Sequence, residues 1–263
     1  MSDAVLLDIS DGIATITLNQ PKSRNSFSPE VREGMARIVP QVLSDDAVRS
    51  IILTGAGGVF CAGGDIRAMK ERVGKFDVMD TRARMAELYE WVRLLIEAQK
   101  PLIAAVDGAA FGAGFSLALA ADIVLATPRS RFCLSFMRIG LVPDCGAFYT
   151  LPRVVGVQRA KELMLSAREI DVQEAKDLGV VMDIVEEAEL LTRARQYAAS
   201  FANASRVGTA LIKQRMGQAL ENDLDTALGN EMNDQALCFA DPYNGEAVQR
   251  FLNKEPALYQ WPK

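Results

Sequence analysis

The chain opens on two short β-branched runs, Val5–Ile9 and Ile13–Leu18, separated by Asp11-Gly12, a dipeptide that favours a two-residue hairpin turn. After the polar turn NQPKSRNSFSPE, Ser28-Pro29-Glu30 reads as a helix start, with serine at the cap and proline at the first helical position. That helix is expected to run to about Leu43, followed by a buried strand over Val48–Thr54. Gly55-Ala56-Gly57-Gly58 breaks the strand, and Phe60-Cys61-Ala62-Gly63-Gly64 leads into a short helix capped by Asp65. A long amphipathic helix is predicted over about Val78–Ala98, then a strand at Leu102–Val106, a turn at Asp107-Gly108 and an apolar helix from about Gly112 to Ala121. Ile123–Ala126 and Arg131–Leu134 read as strands, and from Val157 onward the pattern is mainly helical, interrupted by a strand-like Val180–Val185. Segments near residues 13, 48 and 102 each run strand, turn, helix. Alternation of this kind predicts an α/β fold with parallel pairing. No low-complexity linker divides the chain, so one core (residues 1–195) with a helical extension (196–263) is expected.

Composition narrows the chemistry. The 263 residues include four Cys and no histidine. Without imidazole, Ser-His-Asp and Cys-His nucleophile systems are excluded, as are zinc sites that need His ligands. A proton must then be carried by a carboxylate, Lys, Tyr or Cys. The net charge of −5 is spread along the sequence without basic clusters, which argues against nucleic-acid and membrane-surface partners. Cys61, Cys133, Cys145 and Cys238 form no CxxC pair and three lie in apolar surroundings, as expected of reduced thiols in a cytoplasmic protein. The N-terminus has no basic stretch before an apolar one, so no export signal is expected, and the longest apolar stretch, Gly108–Ala121, is too short to span a bilayer.

Several motifs fail on inspection. GAAFGAGF (108–115) does not match GxGxxG, and Val73-Gly74-Lys75-Phe76 lacks the residues that flank the lysine of a phosphate loop. Gly114-Phe115-Ser116-Leu117-Ala118 resembles a nucleophile elbow, but with no histidine Ser116 has no ordinary general base. Two segments remain, FCAGGD (60–65) and DGAAFGAG (107–114). Each leaves a strand through small residues and enters a helix, exposing backbone N–H groups that have no intrahelical partner. Two such groups on one carbonyl oxygen would form an oxyanion hole, where a donor is typically worth about 2.7–4 kcal/mol in a transition state. The plainer alternative is that these glycines only permit tight turns and close packing.

NQPKSRNSFSPE, GGVFCAGGDIRAM, VDGAAFGAGFSLALAADI and RIGLVPDCGAFYTLPRVVG, with the ending EAVQRFLNKEPALY, resemble the signatures of the crotonase (enoyl-CoA hydratase/isomerase) family. The resemblance runs collinearly from about residue 5 to 260. It implies a crotonase (ClpP-like) ββα spiral core and a C-terminal helical trimerisation region, giving a homotrimer or a homohexamer built as a dimer of trimers. It also implies an acyl-CoA thioester substrate whose carbonyl oxygen lies between the N–H groups of Gly64 and Ala113. Coenzyme A enters as part of that substrate, with no metal and no separate cofactor.

Departures from the family pattern sharpen the expectation. Where the hydratases carry two glutamates, this chain has Ser116 and Phe136, which disfavours simple hydration. A carboxylate appears instead at Asp144 in GLVPDCG, where the family's isomerases and 4-chlorobenzoyl-CoA dehalogenase have a catalytic acid. The closest resemblance is to the ring-1,2-epoxyphenylacetyl-CoA isomerase group. Read from residue type alone, Asp144 after Pro143 also suits a helix cap. As a base, one carboxylate reaching two carbons could move a double bond, with the enolate charge on the oxygen held by Gly64 and Ala113. Leu141, Val142, Phe148 and Phe136 are expected to desolvate Asp144 and raise its pKa. The resemblance places Lys22 and Arg24 near the CoA phosphates and adenine, with Ala62, Asp65 and Ile66 along the adenine and pantetheine path. Lys254 reads as solvated charge that could reach a neighbour's CoA. The leading expectation is an acyl-CoA double-bond isomerase. The alternatives are a hydratase, lyase or hydrolase of the same family, or a non-catalytic acyl-CoA-binding relative.

Overall fold

The computed structural model of the chain describes residues 4–71, 73–75 and 77–262. Phe76 of the rejected phosphate-loop segment and the first three residues of the N-terminal segment lie outside them. Strands β1 (Val5–Ser10) and β2 (Ile13–Leu18) form the expected hairpin, with Asp11 and Gly12 both at positive φ. β3 (Ser50–Gly55), β4 (Leu102–Val106), β6 (Ile123–Ala126) and β9 (Asp183–Ile184) continue the sheet in parallel, in the order β1-β2-β3-β4-β6-β9. Beside it stands a small second sheet of β5 (Ala109–Phe111), β7 (Arg131–Cys133) and β8 (Ile170–Asp171).

The central strands read as continuous apolar runs because both of their faces are covered. Ile51, Leu53, Leu102, Ala104, Val124 and Ala126 point into one core, which they share with α1 (Pro29–Ser44) and α3 (Val78–Ile96). Their neighbours Ile52, Ile103, Ala105, Ile123 and Leu125 point into a second core closed by α8 (Leu190–Ser200). On α1, Val31, Met35, Ile38, Val39 and Val42 form one helical stripe, and the Ser28 hydroxyl accepts from the Val31 N–H as its cap. The short helix α2 (Ile66–Lys70) is capped by Asp65, which accepts from the N–H groups of Arg67 and Ala68.

The remaining helices are α4 (Ala113–Leu119), α5 (Ala147–Val155), α6 (Val157–Ser166), α7 (Val172–Asp177), α9 (Arg206–Gln218), α10 (Leu224–Ala240) and α11 (Pro242–Leu252). The expected division after residue 195 falls inside α8, whose Leu190, Ala194, Tyr197 and Ala198 all pack in the second core. The last three helices bury no residue within the chain and leave Met216, Leu224, Met232, Phe239 and Phe251 exposed. No helix among the described residues is long and apolar enough to cross a membrane.

Two local expectations are corrected. The segment after Asp107-Gly108 is strand β5 rather than a bare turn, because its backbone pairs with β7. The Val180–Val185 strand shrinks to Asp183–Ile184, since the amides of Val180 and Val181 are bound to the Ala175 carbonyl at the end of α7.

Candidate active site

Residues 60–63 and 107–112 run side by side. The Phe60 N–H donates to the Asp107 carbonyl at 2.7 Å, the Cys61 N–H to Ala109 at 2.9 Å, and the Phe111 N–H back to Cys61 at 2.9 Å. Contact is so close that side chains are excluded. A Cβ on Gly63, whose φ is +92°, would lie 2.9 Å from the Phe111 carbonyl oxygen, and one on Gly114 would lie 2.5 Å from the Cys61 carbonyl oxygen. Gly64 and Ala113 each directly follow the glycines that touch, Gly63 and Gly112. Among the described residues no backbone hydrogen bond engages the N–H of Gly64 or of Ala113. Two unengaged amides on adjoining loops are the donor arrangement that an anionic oxygen needs.

The polar turn is stitched to the first of these loops. The Ala62 N–H donates to the Arg24 carbonyl at 3.0 Å, and the Phe27 N–H to the Gly63 carbonyl at 2.7 Å. Lys22 lies in a 3₁₀ turn, Pro21–Ser23, and Arg24 follows it; both are exposed. The structure therefore brings Arg24 and Ala62 to the loop that carries Gly64 and Asp65, with Ile66 exposed at the start of α2. The Asp65 side chain is committed to its helix cap. Lys254 follows α11 and is exposed.

Asp144 is not a helix cap. Gly146 takes that position for α5, and it is the Asp144 carbonyl, not the carboxylate, that accepts from the Ala147 N–H at 3.1 Å. The carboxylate Oδ1 is buried without a hydrogen-bond partner. Desolvation pushes the Asp144 pKa above the usual carboxylate value, and the Cys145 thiol and the Arg32 guanidinium pull it back in part. The next residue, Cys145, is held at φ +50°, a conformation that costs a non-glycine residue of order 1–3 kcal/mol. Cys145 is buried, and its thiol is close enough to Cys61 for the charge of one to act on the other.

Asp144 opens on a cavity of about 750 Å³ that it shares with Tyr89, Ile96, Phe148 and Tyr149; Gly64 and Ala113 do not line it. The expected desolvating set is corrected in part. Phe136 is buried, but Leu141 and Val142, on the loop after the 3₁₀ turn Ser135–Ile139, and Phe148, in the first turn of α5, are exposed. The buried flanks of Asp144 are Pro143 and Cys145. At the two positions that lack glutamates, Ser116 is buried and its hydroxyl bonds back to the Gly112 carbonyl at 3.3 Å. The Phe136 ring would lie 3.8 Å from a Cβ on Gly112.

Three residues of this region carried no readable sequence signal. Asn25 is fully buried: its amide donates to the carbonyls of Ala56 (2.8 Å) and Val59 (2.6 Å) and its oxygen accepts from the Gln20 N–H, which fixes the polar turn. Tyr89 on α3 has its pKa raised by burial and by the charge of Asp144. Arg32 on α1 reads as an ordinary polar position of an amphipathic helix, yet its Nε is buried and unpartnered.

The chain and its fold have counterparts. A 1,2-epoxyphenylacetyl-CoA isomerase of Escherichia coli K12 is 37% identical over 256 residues, 97% of each chain. A short-chain-enoyl-CoA hydratase of Clostridium acetobutylicum is 33% identical over 256 residues, 95% of each chain. The crystal structure of an enoyl-CoA hydratase/isomerase from Cupriavidus metallidurans CH34 superposes with a TM-score of 0.93 at 37% identity, covering 99% of this chain and 98% of that one. The family model described as enoyl-CoA hydratase/isomerase matches residues 8–261. With its parallel α/β core, its paired amide loops and its C-terminal helices, the chain belongs to the enoyl-CoA hydratase/isomerase (crotonase) family.

Proposed function

We propose that the protein is an acyl-CoA double-bond isomerase in which Asp144 carries the proton and the N–H groups of Gly64 and Ala113 hold the thioester oxygen. The observation that carries this reading is the Asp144 carboxylate itself: half-buried, committed to no cap and with one buried, unpartnered oxygen, in a region otherwise stripped of acids at Ser116 and Phe136. A carboxylate of raised basicity removes a proton from the carbon beside the thioester. The enolate charge that results falls on the oxygen between the two amides, and the same carboxyl returns the proton to another carbon. Lys22 and Arg24 face the CoA phosphates as exposed cations, and Ala62, Asp65 and Ile66 lie along the cofactor arm of the substrate. The 37% identity to an isomerase supports the assignment, and the 33% identity to a hydratase marks water addition as the competing reaction.

The apolar exposure of α9, α10 and α11 supports residues 196–263 as the surface on which copies of the chain assemble, three or six together. Light scattering on the purified protein should give three or six times 28.7 kDa.

The test of the reaction is to incubate the protein and its Asp144→Asn variant with a 3-enoyl-CoA and follow the products by chromatography and mass. The parent should form the conjugated isomer at unchanged mass, and the variant should be slower by about 10²–10⁴-fold. A gain of one water in the product, or parental rates in the variant, would overturn the assignment.

A further inference from the structure

We propose that the cavity between α3, α5 and α9 selects substrates with a bulky apolar acyl end over short ones, and that Gly217 of α9 sets its depth. The proposal deepens the reaction proposed above and rests on Asp144 acting as the proton carrier.

Of the three groups proposed to act on the substrate, Asp144 alone lines this cavity; Gly64 and Ala113 do not. A thioester oxygen held by those two amides therefore stays outside it, and what passes Asp144 into it is the remote end of the acyl group. The cavity measures about 750 Å³. Sites that take up a whole small molecule span roughly 300–1,000 Å³. Here that room is left for one end of the substrate, more than a short acyl chain fills. Its walls suit an apolar occupant: Val92 and Ile96 come from α3, and Pro143, Ala147 and Phe148 flank or follow Asp144. Gly146 lets these walls meet. A Cβ there would lie 2.5 Å from Ile96 Cδ1, so α3 abuts the turn that carries Asp144.

The remaining wall is α9, which buries no residue within the chain and is held by polar contacts. Lys213 pairs with Asp122, whose carboxylate also accepts from the Leu102 N–H at 2.7 Å. The Tyr149 hydroxyl donates to the Gly217 carbonyl. The Arg153 guanidinium stacks 3.3 Å from the centre of the Tyr149 ring and pairs with Glu221. These contacts fix where the wall stands, yet its inner surface has no side chain at Gly217. A Cβ on Gly217 would meet no atom within 4 Å, and the backbone there is helical, so a larger residue fits without strain. The exposed apolar residues of α9, Ile212 and Met216, form a different row of the helix from Lys213 and Gly217. The row toward the cavity is thus separate from the row offered for assembly.

Calorimetry on the full-length protein should compare butyryl-CoA with decanoyl-CoA and phenylpropanoyl-CoA, esters with no double bond to move. At least one of the two bulky esters should bind about tenfold or more tighter than butyryl-CoA, because more apolar area is buried. Which of them does so tells a chain from a ring. Gly217→Phe should remove most of that preference and leave butyryl-CoA affinity within about twofold, while Gly217→Ala should match the parent. Phe148→Ala, which strips another wall, should weaken the preferred ester several-fold. A parent without the preference, or a Gly217→Phe variant that weakens all three esters alike or none, would overturn the proposal. Light scattering on the same samples guards against a neighbouring copy as the occupant: a Gly217→Phe variant that loses assembled mass but keeps its ester preference would overturn it too. None of these esters turns over, so failure of the size preference and failure of the 3-enoyl-CoA assay are read separately.

Discussion

Gly63 and Gly112 meet backbone to backbone: a Cβ on Gly63 would lie 3.6 Å from the Gly112 Cα and 2.9 Å from the Phe111 carbonyl oxygen, with Gly63 held at φ +92°. Gly64 and Ala113 follow these residues, so the separation of the two candidate donors is set by this contact. Replacing Gly63 by alanine forces the loops apart by a few tenths of an ångström and strains its own backbone. The expected result for Gly63→Ala is a fall in kcat of about 10²–10³-fold, the typical effect of losing one such donor. Steady-state kinetics beside a thermal melt check it: an unchanged kcat would mean that the contact does not govern the chemistry.

Burial raises the Asp144 pKa in the folded protein above its unfolded value. A group shifted in this direction contributes stability below its unfolded pKa, and that contribution is lost as pH rises through the folded pKa. Asparagine does not titrate. The Asp144→Asn variant should therefore gain on the parent in melting temperature as pH is raised from about 4 to 7.5, with the difference levelling off above the folded pKa. Paired melts across that range measure it, and a difference that is flat with pH would count against a desolvated carboxyl.

Asn25 donates to two carbonyls from a fully buried position. Asn25→Asp would set a carboxylate oxygen against carbonyl oxygens and leave it without a donor, a change expected to cost about 1–3 kcal/mol or more. Because the turn from Arg24 to Phe27 is bonded to Ala62 and Gly63, acyl-CoA affinity should fall along with stability. Denaturant titration and calorimetric binding of a saturated acyl-CoA provide the two readings.

Lys22 and Arg24 are exposed, so the contribution proposed for them to binding the CoA phosphates is screened by salt. The double charge reversal Lys22→Glu with Arg24→Glu should raise KM several-fold at low ionic strength and leave kcat within about twofold. The effect should shrink as salt approaches about 1 M, where the screening length is near 3 Å. A KM that is unaffected at low salt would remove these two residues from the CoA path.

Much of the architecture is written locally. The Asp11-Gly12 hairpin, the Ser28-Pro29 helix start, the Asp65 cap and the buried strand at Leu102–Val106 each depend on a few adjacent residues, and each occurs where its pattern predicts. The glycine loops at 60–65 and 107–114 were legible for the same reason, since small residues between a strand and a helix announce exposed amides. Elements that depend on distant partners were not. β5 is three residues long and exists because β7 lies beside it, and the 180–185 segment gives up most of its strand to the end of α7.

For the candidate site the division is sharper. The sequence by itself determined which chemistry was open: no imidazole anywhere, serine and phenylalanine at the two glutamate positions, and one aspartate left in the GLVPDCG segment. Residue type could not decide between a cap and a base for Asp144, because a helix cap and a buried carboxylate draw on the same side chain. Only the tertiary structure removed the cap reading, by giving the cap to Gly146 and leaving Oδ1 buried without a partner. It alone also brought Arg32, more than a hundred positions earlier in the chain, into the electrostatic reach of Asp144. Desolvation and long-range charge are properties of what surrounds a side chain in space, and a linear pattern does not carry them.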